Sequence, residues 1–546
     1  MKPGRLLRTL RHLRPEQWGG RLRHRLRGVR PVAYGGPTPV LAGGVPIVPF
    51  LPAPPATEWD GRARFRWLGR EVVFDDAVDW SFDGEGPLWS FLLHQFHWLR
   101  DPAASAERRA ARIVDWIHRY PEGPGWSSDP TSFRIFNWTK ALRTPGALPD
   151  DAALRDEIAR SLASQCETLA RNLETHLLAN HYFTNLAALT FAGLAFQGSA
   201  ADRWLAHAVA FRGQLSEQIG ADGAHYERSP MYHAALLEQV LDLLHGARIS
   251  GRANDGLRDA LQDAAARMLG ALELLRHPDG EIALFADSAF GFAHPPAALR
   301  AHGAALGVSP RPPDPPGLLA DAGYARLEAG PFVLLASVGG PAPAYQPGHA
   351  HADALAFELS VAGERVVTDT GVCEYVPGPT RDASRATRSH ATLELDGRDQ
   401  SELWAAHRLG GRAQVRLVSA APPHRAEATC RSWFAHDTLH RRSFEAHVDG
   451  IELVDRLEGR ARPVRSTLPL APGVEAERIG DGARLRTARG LELAVELPRE
   501  LAWSVERLPY MPAFGCCIER AALIGVGTPT RPMELRIRLA GRPSDP

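Results

Sequence analysis

The segment 348–353 reads Gly-His-Ala-His-Ala-Asp and places two imidazoles and a carboxylate at alternating positions. It leads directly into an apolar run, 354–361. We expect a strand here, whose side chains alternate between faces, so that His349, His351 and Asp353 point to the same side. Three polar groups beside a core need partners, and the pattern therefore predicts a functional site.

Two later residues complete a set of metal-ligand types with one of these histidines. Asp369 lies in the run Val-Val-Thr-Asp-Thr-Gly at 366–371, and His390 stands directly before an apolar run. If neighbouring strands bring His351, Asp369 and His390 together, two imidazoles and a carboxylate would suit zinc or another first-row divalent ion. The spacing alone is unspecific, because a histidine taken singly is more often a surface or hydrogen-bonded residue.

The first half of the chain carries three further polar clusters. Residues 180–185 read Asn-His-Tyr-Phe-Thr-Asn, residues 222–233 gather ionisable side chains around a Ser-Pro turn, and residues 126–138 combine tryptophans with Arg134. Taken alone, the first cluster is better explained as a helix stop and N-cap region, and the aromatic residues of the third are more often part of a hydrophobic core. The density of ionisable groups in the second indicates a site at least as strongly as a solvated loop.

Two kinds of secondary structure must position these clusters. Helical periodicity predicts helices at 88–100, 105–120, 132–142, 151–178, 182–197, 202–219, 231–247 and 255–276. Period-two alternation with Asp-Gly turns predicts strands at 332–337, 354–361, 365–369, 391–395, 413–418, 438–447, 451–457, 491–497 and 535–539. The sequence therefore predicts an all-α half, built as an array or toroid of helical hairpins, followed by an antiparallel β-sandwich.

A Pro-rich segment, 303–316, marks the boundary between the two halves. We divide the chain into a basic N-terminal segment with an extended arm, 1–60, a helical domain, 61–315, and a sandwich domain, 318–546. Residues 1–30 carry ten Lys or Arg against one Glu, with leucines at helical spacing. This pattern indicates either a basic helix docked on the first domain or a membrane-surface helix that makes peripheral contact with lipid.

Composition narrows the classes of function. The 546 residues include 63 Lys or Arg and 63 Asp or Glu, so bulk charge predicts no nucleic-acid partner. Five cysteines without a regular spacing argue against a disulfide framework or a structural zinc site. We see no membrane span and no Sec signal peptide, and we expect a cytoplasmic or peripheral protein, with a periplasmic one as the alternative.

Taken together, the clusters resemble the heparinase II/III-like polysaccharide lyases, a group that includes alginate and oligoalginate lyases. The matching stretches, in order, are Asn180-His181 with Asn185, the loop 222–233, the segment 349–353, Asp369-Thr370-Gly371, and 385–392 followed by Asp396-Gly397 and Gln400-Ser401. With the sequence around them, the resemblance covers about 130–460, most of the chain. The resemblance implies an incomplete (α/α) toroid followed by an antiparallel β-sandwich, with the active site in the cleft between them.

The resemblance also implies roles for individual residues. It makes Tyr232 the catalytic tyrosine and His349 the catalytic histidine, and it puts Asn180 and His181 at the substrate carboxylate. It makes His351, Asp369 and His390 the ligands of a divalent metal, most simply a zinc ion in a supporting role. Our candidates for further contacts with an anionic polysaccharide or oligosaccharide are Arg134, Asn185, Glu227, Arg385, Arg388 and Trp404.

The implied reaction is β-elimination at a uronate, in which the C5 proton is removed and the C4 oxygen is expelled. Either Tyr232 or His349 would act as the base. A tyrosine base needs a pKa well below its ordinary value of about 10, which requires nearby cations. The candidates for that role are Arg228, His225, His233 and Arg388.

Two other functions are open from the sequence. A glycoside hydrolase on the same toroid would use Glu227 with Asp222 or Asp287 as a carboxylate pair. A non-catalytic polysaccharide-binding or exopolysaccharide-assembly protein would keep the fold without the chemistry. The polymer is open as well: heparin-like, chondroitin, hyaluronan, alginate and bacterial exopolysaccharide all contain or can contain the required uronate.

Overall fold

The computed structural model describes residues 3–75 and 77–539. The beginning of the predicted basic segment and the end of the predicted sandwich domain, 540–546, lie outside the described residues. The α-helices are α1 Pro3–Leu10, α2 Pro15–Arg27, α3 Pro87–Gln95, α4 Ala106–Arg119, α5 Ser128–Arg143, α6 Ala152–Arg171, α7 Ala179–Ala195, α8 Ser199–Leu205, α9 Ala208–Gln218, α10 Pro230–Ser250, α11 Asp255–Leu274, α12 Pro296–Ala305 and α13 Pro379–Arg385. Short 3₁₀ helices cover His97–Arg100, Pro124–Trp126 and Thr387–Ser389.

Helices α5, α7 and α10 form the inner layer of the helical half. Almost every residue of these three helices is buried, whereas α4 and α6 bury one face and expose the other. Local sequence sets the helix ends: in α10, Ser229 is the N-cap, Pro230 occupies the first turn, and Gly251 ends the helix with a φ of 65°. The prediction of an incomplete toroid is confirmed.

The strands lie mostly in the second half. They are β1 Val40–Leu41, β2 Glu58–Trp59, β3 Arg64–Trp67, β4 Arg70–Val73, β5 Phe196–Gln197, β6 Leu318–Leu319, β7 Tyr324–Ala329, β8 Phe332–Ser337, β9 Phe357–Val361, β10 Glu364–Val367, β11 Leu393–Leu395, β12 Leu403–Trp404, β13 Arg408–Leu409, β14 Gln414–Ala421, β15 Arg425–Arg431, β16 Thr438–His447, β17 Gly450–Gly459, β18 Val464–Pro469, β19 Glu475–Ile479, β20 Gly482–Arg486, β21 Glu492–Glu496, β22 Ala502–Ala513, β23 Cys516–Gly527 and β24 Met533–Leu539.

Three antiparallel sheets build the sandwich. Their strand orders are β10-β9-β8-β7-β6, β14-β15-β16-β17-β24-β21-β20-β19, and β11-β18-β23-β22. The first two sheets share one hydrophobic core, in which the rings of Phe357 and Phe444 meet edge to face at 6.4 Å. The prediction of an antiparallel β-sandwich is confirmed.

A buried polar contact joins the two halves. His277, which follows α11, lies with Nε2 2.7 Å from a carboxylate oxygen of Glu358 on β9, and its Nδ1 lies 2.8 Å from the Ser360 hydroxyl. The other Glu358 oxygen accepts hydrogen bonds from the backbone N–H groups of Leu284 and Asp369. Because all of these groups are buried, the loop after α11 is fixed against the sandwich.

Two of the differences from our local expectations concern the candidate site and the helical core. The segment 348–356 is an irregular loop and not part of a strand, since β9 begins only at Phe357 and Leu355 has a φ of 62°. A Pro-Gly pair precedes the histidines and interrupts extended pairing at this point. A small antiparallel sheet, β2-β3-β4, lies where we predicted no strand, and it packs Trp59, Phe65 and Trp67 into the helical core.

The basic N-terminal segment forms α1 and α2, which lie against both halves of the protein. Arg8 forms an ion pair with Glu402 of the sandwich at 2.7 Å, and Arg14 pairs with Glu217 of the helical half at 2.5 Å. The Arg14 guanidinium also lies 3.8 Å above the ring of Tyr345. Among the described helices, none combines the length and the apolar character that a membrane span requires.

Candidate active site

Asn180 and His181 lie in the first turn of α7. The two residues before Asn180, Leu178 and Ala179, have φ values of 61° and 53°, in the left-handed region. Non-glycine residues in that region cost roughly 1–2 kcal/mol each, and such strain concentrates at functional sites. The strained turn points the start of α7 at the loop that carries Glu227.

Tyr232 stands in the first turn of α10, which begins directly after the loop that carries Glu227. The side chain of Ser229 accepts a hydrogen bond from the backbone N–H of Tyr232 at 3.2 Å and donates one to the carbonyl of Asp287 at 2.7 Å. The helix cap therefore also holds the loop after α11 beside the tyrosine.

His349 brings the sandwich into the same cluster. Its ring stacks on the ring of Tyr232 with centroids 4.0 Å apart. Its Nε2 lies 3.3 Å from Nδ2 of Asn180. Three side chains from two halves of the protein, Tyr232, His349 and Asn180, thus meet in one place, although His349 lies on a loop and not on the strand that we predicted.

Glu227 positions Asn180. One carboxylate oxygen accepts hydrogen bonds from the Asn180 backbone N–H at 2.8 Å and from Nδ2 at 3.0 Å, and the other lies 2.9 Å from Nδ2. The same carboxylate lies 3.5 Å from Nε2 of His349 and is almost fully buried. Glu227, which we predicted as a substrate contact, therefore lies in the cluster but is engaged by the asparagine.

Asp287 is the residue that holds the histidine loop, and our sequence analysis considered it only as part of a hydrolase pair. Its carboxylate lies 2.9 Å from Nδ1 of His349, 2.8 Å from Nε2 of His351, and in a two-pronged ion pair with Arg381. Burial raises the pKa of Asp287, but Arg381 and the two imidazoles outweigh it and hold that pKa well below its usual range. Asp287 is therefore a charged, fully buried acceptor.

That acceptor selects one tautomer of His349. If Nδ1–H donates to Asp287, the Nε2 lone pair of the neutral ring faces Asn180 and the open side of the cluster. The assignment follows from the hydrogen-bond partners. An imidazole held in this way has the geometry of a general base.

Tyr375 and His407 complete the wall of the cluster, and sequence reasoning missed both. The Tyr375 hydroxyl lies 3.1 Å from the Tyr232 hydroxyl, and the His407 ring lies 5.0 Å from the ring of Tyr375 and 6.1 Å from that of His349. Both residues lie on irregular segments without a recognisable motif. Only the fold brings them to this cluster.

The structure contradicts the expectation that cations lower the pKa of Tyr232. Burial raises that pKa; the hydrogen bond between the Tyr232 and Tyr375 hydroxyls lowers it less, and Asp287 and Glu227 raise it further. The four proposed cations are engaged elsewhere: Arg228 with the Gly340 and Asp321 carbonyls, His225 with Gln218, His233 with the Met268 carbonyl, and Arg388 with Glu394. Tyr232 therefore keeps its proton at neutral pH and is suited to act as an acid.

His181 supplies the positive charge of the site. Burial lowers its pKa, but Glu174, whose carboxylate lies 3.4 Å from Nδ1, and to a smaller extent Asp129 and Glu227 raise the pKa to about 9. The His181 side chain is 31% exposed, so a ligand can reach it. Asn185 donates to Glu174 at 3.0 Å and is fully buried, so it positions that carboxylate and does not line the cleft as we predicted.

Two predicted substrate contacts are core residues in the structure. Arg134 is fully buried, donates to Gln165 and to the carbonyls of His94 and Gly125, and stacks on Trp116 at 4.0 Å. Arg385 is 1% exposed and donates to the carbonyls of Ala350, Ala405 and Ala406. Because their donors are already bonded within the protein, neither arginine is a substrate contact as we predicted. Arg134 stabilises the helical half, and Arg385 stabilises the loop between His349 and His351.

The remaining two candidates lie on the sandwich side. Arg388 is 55% exposed and pairs with Glu394 at 2.9 Å. The indole of Trp404 donates to the Thr9 hydroxyl of α1 at 3.1 Å. Arg388 is thus accessible to an anionic ligand, whereas Trp404 contributes to the docking of the N-terminal helices.

His351, Asp369 and His390 come together as the sequence suggested. All three are buried, and each offers a ligand atom within 4.8 Å of the others. Within the described chain, Nδ1 of His351 and Nε2 of His390 have no hydrogen-bond partner, which is costly for buried nitrogens. Asp287 bonds the other nitrogen of His351 at 2.8 Å, as an outer partner of a metal-bound histidine does. The residues fit a zinc ion.

Two protein-family models match the chain, one mainly in the helical half and one mainly in the β half. Residues 150–293 match the model described as "Heparinase II/III N-terminus", and residues 311–523 match "Heparinase II/III-like, C-terminal". The first range contains Asn180, Tyr232 and Asp287, and the second contains His349 and the three candidate metal ligands. The two matched ranges together cover more than half of the chain.

Two curated proteins are similar over part of their length. One is the FtsZ-localized protein C of Caulobacter vibrioides, 28% identical over 307 residues, which are 53% of this chain and 50% of that protein. The other is the heparin-sulfate lyase of Pedobacter heparinus, 23% identical over 368 residues, which are 60% of this chain and 53% of that protein. The chain thus spans about half the length of each of these relatives.

Solved structures agree in fold. A crystal structure of heparinase III superposes with a TM-score of 0.68 at 16% identity and covers 86% of this chain and 80% of its own. A heparan sulfate lyase from Pedobacter heparinus superposes with a TM-score of 0.57 at 17% identity, over 87% of this chain and 80% of its own. At such identities the likeness concerns the toroid and the sandwich alone.

Proposed function

Since the chain belongs to the heparinase II/III-like family, we propose that it is a polysaccharide lyase that cleaves a uronate-containing polymer by β-elimination. The observation that carries the proposal is the stack of His349 on Tyr232, with Asn180 at the histidine Nε2 and cationic His181 on the same helix turn. A base, an acid and a carboxylate site are the three groups that the reaction needs.

The difficult step is removal of the C5 proton. This proton is hardly acidic beside a charged carboxylate, because its loss would add a second negative charge to the same group. The protonated ring of His181 would neutralise the carboxylate, and Asn180, held by Glu227, would offer an N–H to it. Together they stabilise the enolate-like transition state, which is where electrostatic catalysis acts.

We assign the base to His349 and the acid to Tyr232. The Nε2 lone pair of His349 would accept the C5 proton, and the resulting imidazolium would be stabilised by the Asp287 carboxylate at Nδ1. The buried Tyr232 hydroxyl, whose pKa is raised, would give its proton to the departing C4 oxygen. Tyr375, 3.1 Å away, would orient that hydroxyl.

His351, Asp369 and His390 are the residues that would hold the zinc ion. A bound zinc would supply a fixed positive charge that orders the loop behind His349. Asp287 contacts both His349 and His351, so it links that loop order to the position of the base. Bond breaking in this proposal uses the side chains of Tyr232 and His349 alone.

The same geometry gives little support to the alternative that the protein is a glycoside hydrolase. The carboxylate of Asp222 accepts hydrogen bonds from the backbone N–H of Ala224 in its own turn and from those of Asp321 and Ala322 before β7. Glu227 and Asp287 are both committed to nitrogen donors, so neither is a free acid or base. A carboxylate pair of the kind that hydrolyses glycosides is therefore disfavoured.

A panel assay tests the proposal. Heparan sulfate, chondroitin, hyaluronan, alginate and bacterial exopolysaccharides, as polymers and oligomers, are incubated with the full chain, and the ultraviolet absorbance of an unsaturated uronate is recorded. We expect absorbance with at least one uronate polymer, and we would test heparin and heparan sulfate first because the cited relatives are named heparin-sulfate lyase and heparan sulfate lyase. Reducing ends without absorbance would indicate a hydrolase, and binding without products would indicate the non-catalytic alternative.

A further inference from the structure

Helices α1 and α2 turn their polar faces toward the protein. On α1, Arg5 and Arg8 reach the carboxylate of Glu402. On α2 the buried positions are Gln17 and Gly20, and a Cβ on Gly20 would lie 2.6 Å from the backbone nitrogen of His176. The inner side of α2 thus packs by backbone approach and hydrogen bonds, and it buries no large apolar side chain.

The apolar side chains of α2 point the opposite way. Trp18, Leu22 and Leu26 follow one another at intervals of four residues and therefore form one stripe along the helix. Their exposed fractions are 50%, 62% and 74%. An amphipathic helix that covers a core hides such a stripe, so α2 is docked with its apolar face outward.

This exposure is unusual for this protein. In the part of the chain that the structure describes, every leucine and tryptophan among the large exposed apolar residues belongs to these two helices: Leu7, Trp18, Leu22 and Leu26. The other exposed apolar residues are valines and isoleucines elsewhere in the chain. A contiguous stripe of large apolar side chains marks an interaction surface rather than ordinary exposure.

The charges beside the stripe identify the partner. Arg23 and Arg25 flank it on the helix surface, Arg27 and Arg30 follow, and all four are exposed. No ion pair engages any of these four arginines within residues 3–75 and 77–539. A partner that accepts large apolar side chains between arginines is itself apolar below an anionic surface, as a lipid bilayer with anionic headgroups is.

We propose that the outward face of α1 and α2 binds the surface of an anionic lipid membrane. Trp18, Leu22 and Leu26 enter the boundary between headgroups and acyl chains, and the flanking arginines contact the headgroups. Because Arg8 pairs with the sandwich and Arg14 with the helical half, binding through these helices brings the whole protein to the membrane surface. This function uses no residue of the cleft and stands apart from the proposed reaction.

Vesicle co-sedimentation of the full chain tests the proposal. We expect binding to vesicles of phosphatidylcholine with about a third phosphatidylglycerol or cardiolipin, weak binding to pure phosphatidylcholine, and loss of binding as salt rises. The triple variant Trp18→Ser/Leu22→Ser/Leu26→Ser should abolish binding. The triple variant Arg23→Gln/Arg25→Gln/Arg27→Gln should weaken it by about fivefold for each arginine removed.

A matched control is Val209→Ser, which removes an apolar side chain that is 80% exposed on α9. It should bind vesicles as the parent chain does, and all variants should keep the parent melting temperature. Equal binding to neutral and anionic vesicles, or anionic binding that survives the loss of the stripe, would overturn the proposal. So would the absence of vesicle binding together with a stripe-dependent change in oligomeric state, which would identify a second copy of the chain as the partner.

Discussion

The carboxylate of Asp287 bridges the two histidines of the 348–353 loop, with Oδ2 2.9 Å from Nδ1 of His349 and Oδ1 2.8 Å from Nε2 of His351. One buried residue of the helical half thus fixes the tautomer of the candidate base and orients a candidate metal ligand. Arg381 neutralises the same carboxylate. The candidate active site and the candidate metal site are therefore one connected hydrogen-bond network.

Asp287→Asn should reduce kcat by about 10²-fold or more, because an amide can present the wrong partner to Nδ1 and release the tautomer. It should also destabilise the fold by about 3–5 kcal/mol, since Arg381 loses its buried counterion. The matched control is Asp455→Asn, where Arg442 and His440 surround a buried aspartate in the sandwich core. Urea unfolding should give similar losses for both variants, whereas kcat falls only for Asp287→Asn; equal kcat in the two would refute the positioning role.

Tyr232→Phe should lower kcat by about 10²–10⁴-fold, the usual contribution of a general acid, with KM little changed. The phenyl ring retains the stack on His349, so folding should be unaffected. The control is Tyr34→Phe, which removes a hydroxyl that donates a local hydrogen bond to the Pro37 carbonyl. Turnover by Tyr232→Phe at the parent rate would move the acid to another residue.

The charge of His181 predicts a pH dependence. Its pKa is about 9 in the folded chain and about 6.5 when unfolded, so the folded state binds the proton more tightly. The stabilisation of the folded state by the protonated His181 is complete below about pH 6.5 and is lost as pH rises through 9. Activity on a uronate polymer should fall over the upper part of that window. His181→Gln should raise KM and flatten this limb, while His118→Gln, from the exposed pair with Glu157, should change neither.

Metal content should separate the two histidines of the loop. His351→Ala should lose zinc, as measured by plasma mass spectrometry, because it removes one of three ligands; His349→Ala should retain zinc and lose turnover. Chelation of the parent chain should lower its melting temperature at least as much as its activity. Full retention of fold with complete loss of turnover would assign the metal a direct part in the reaction.

The division into a helical half and a β half could be predicted from the sequence, because the helical and the alternating patterns of apolar residues each repeat over many residues. Asn180, His181 and Tyr232 were singled out through the resemblance to a known family, because a helix start alone explains polar residues at these positions equally simply. The loop at 348–356 was expected to be a strand, because its alternation of polar and small residues resembles a strand pattern while Pro347 and Gly348 prevent pairing.

Asp287 and Tyr375 could not be assigned in the same way. Each lies on an irregular segment, and its role depends on contacts with residues far along the chain: Asp287 with Arg381, and Tyr375 with Tyr232. Arg134 and Arg385 show the converse, because nothing in their local sequence reveals that carbonyl oxygens already occupy their donors. Burial of a charged side chain is a property of the tertiary structure.

The mass of the reaction products tests the central claim most directly. β-Elimination breaks the C4–O bond without consuming water, so the two products together weigh the same as the substrate oligosaccharide. We predict this mass balance with a terminal unsaturated uronate for the parent chain, and no products from His349→Ala. Products that are together one water heavier than the substrate would show hydrolysis and contradict the assignment of His349 and Tyr232 as the base and acid of a lyase.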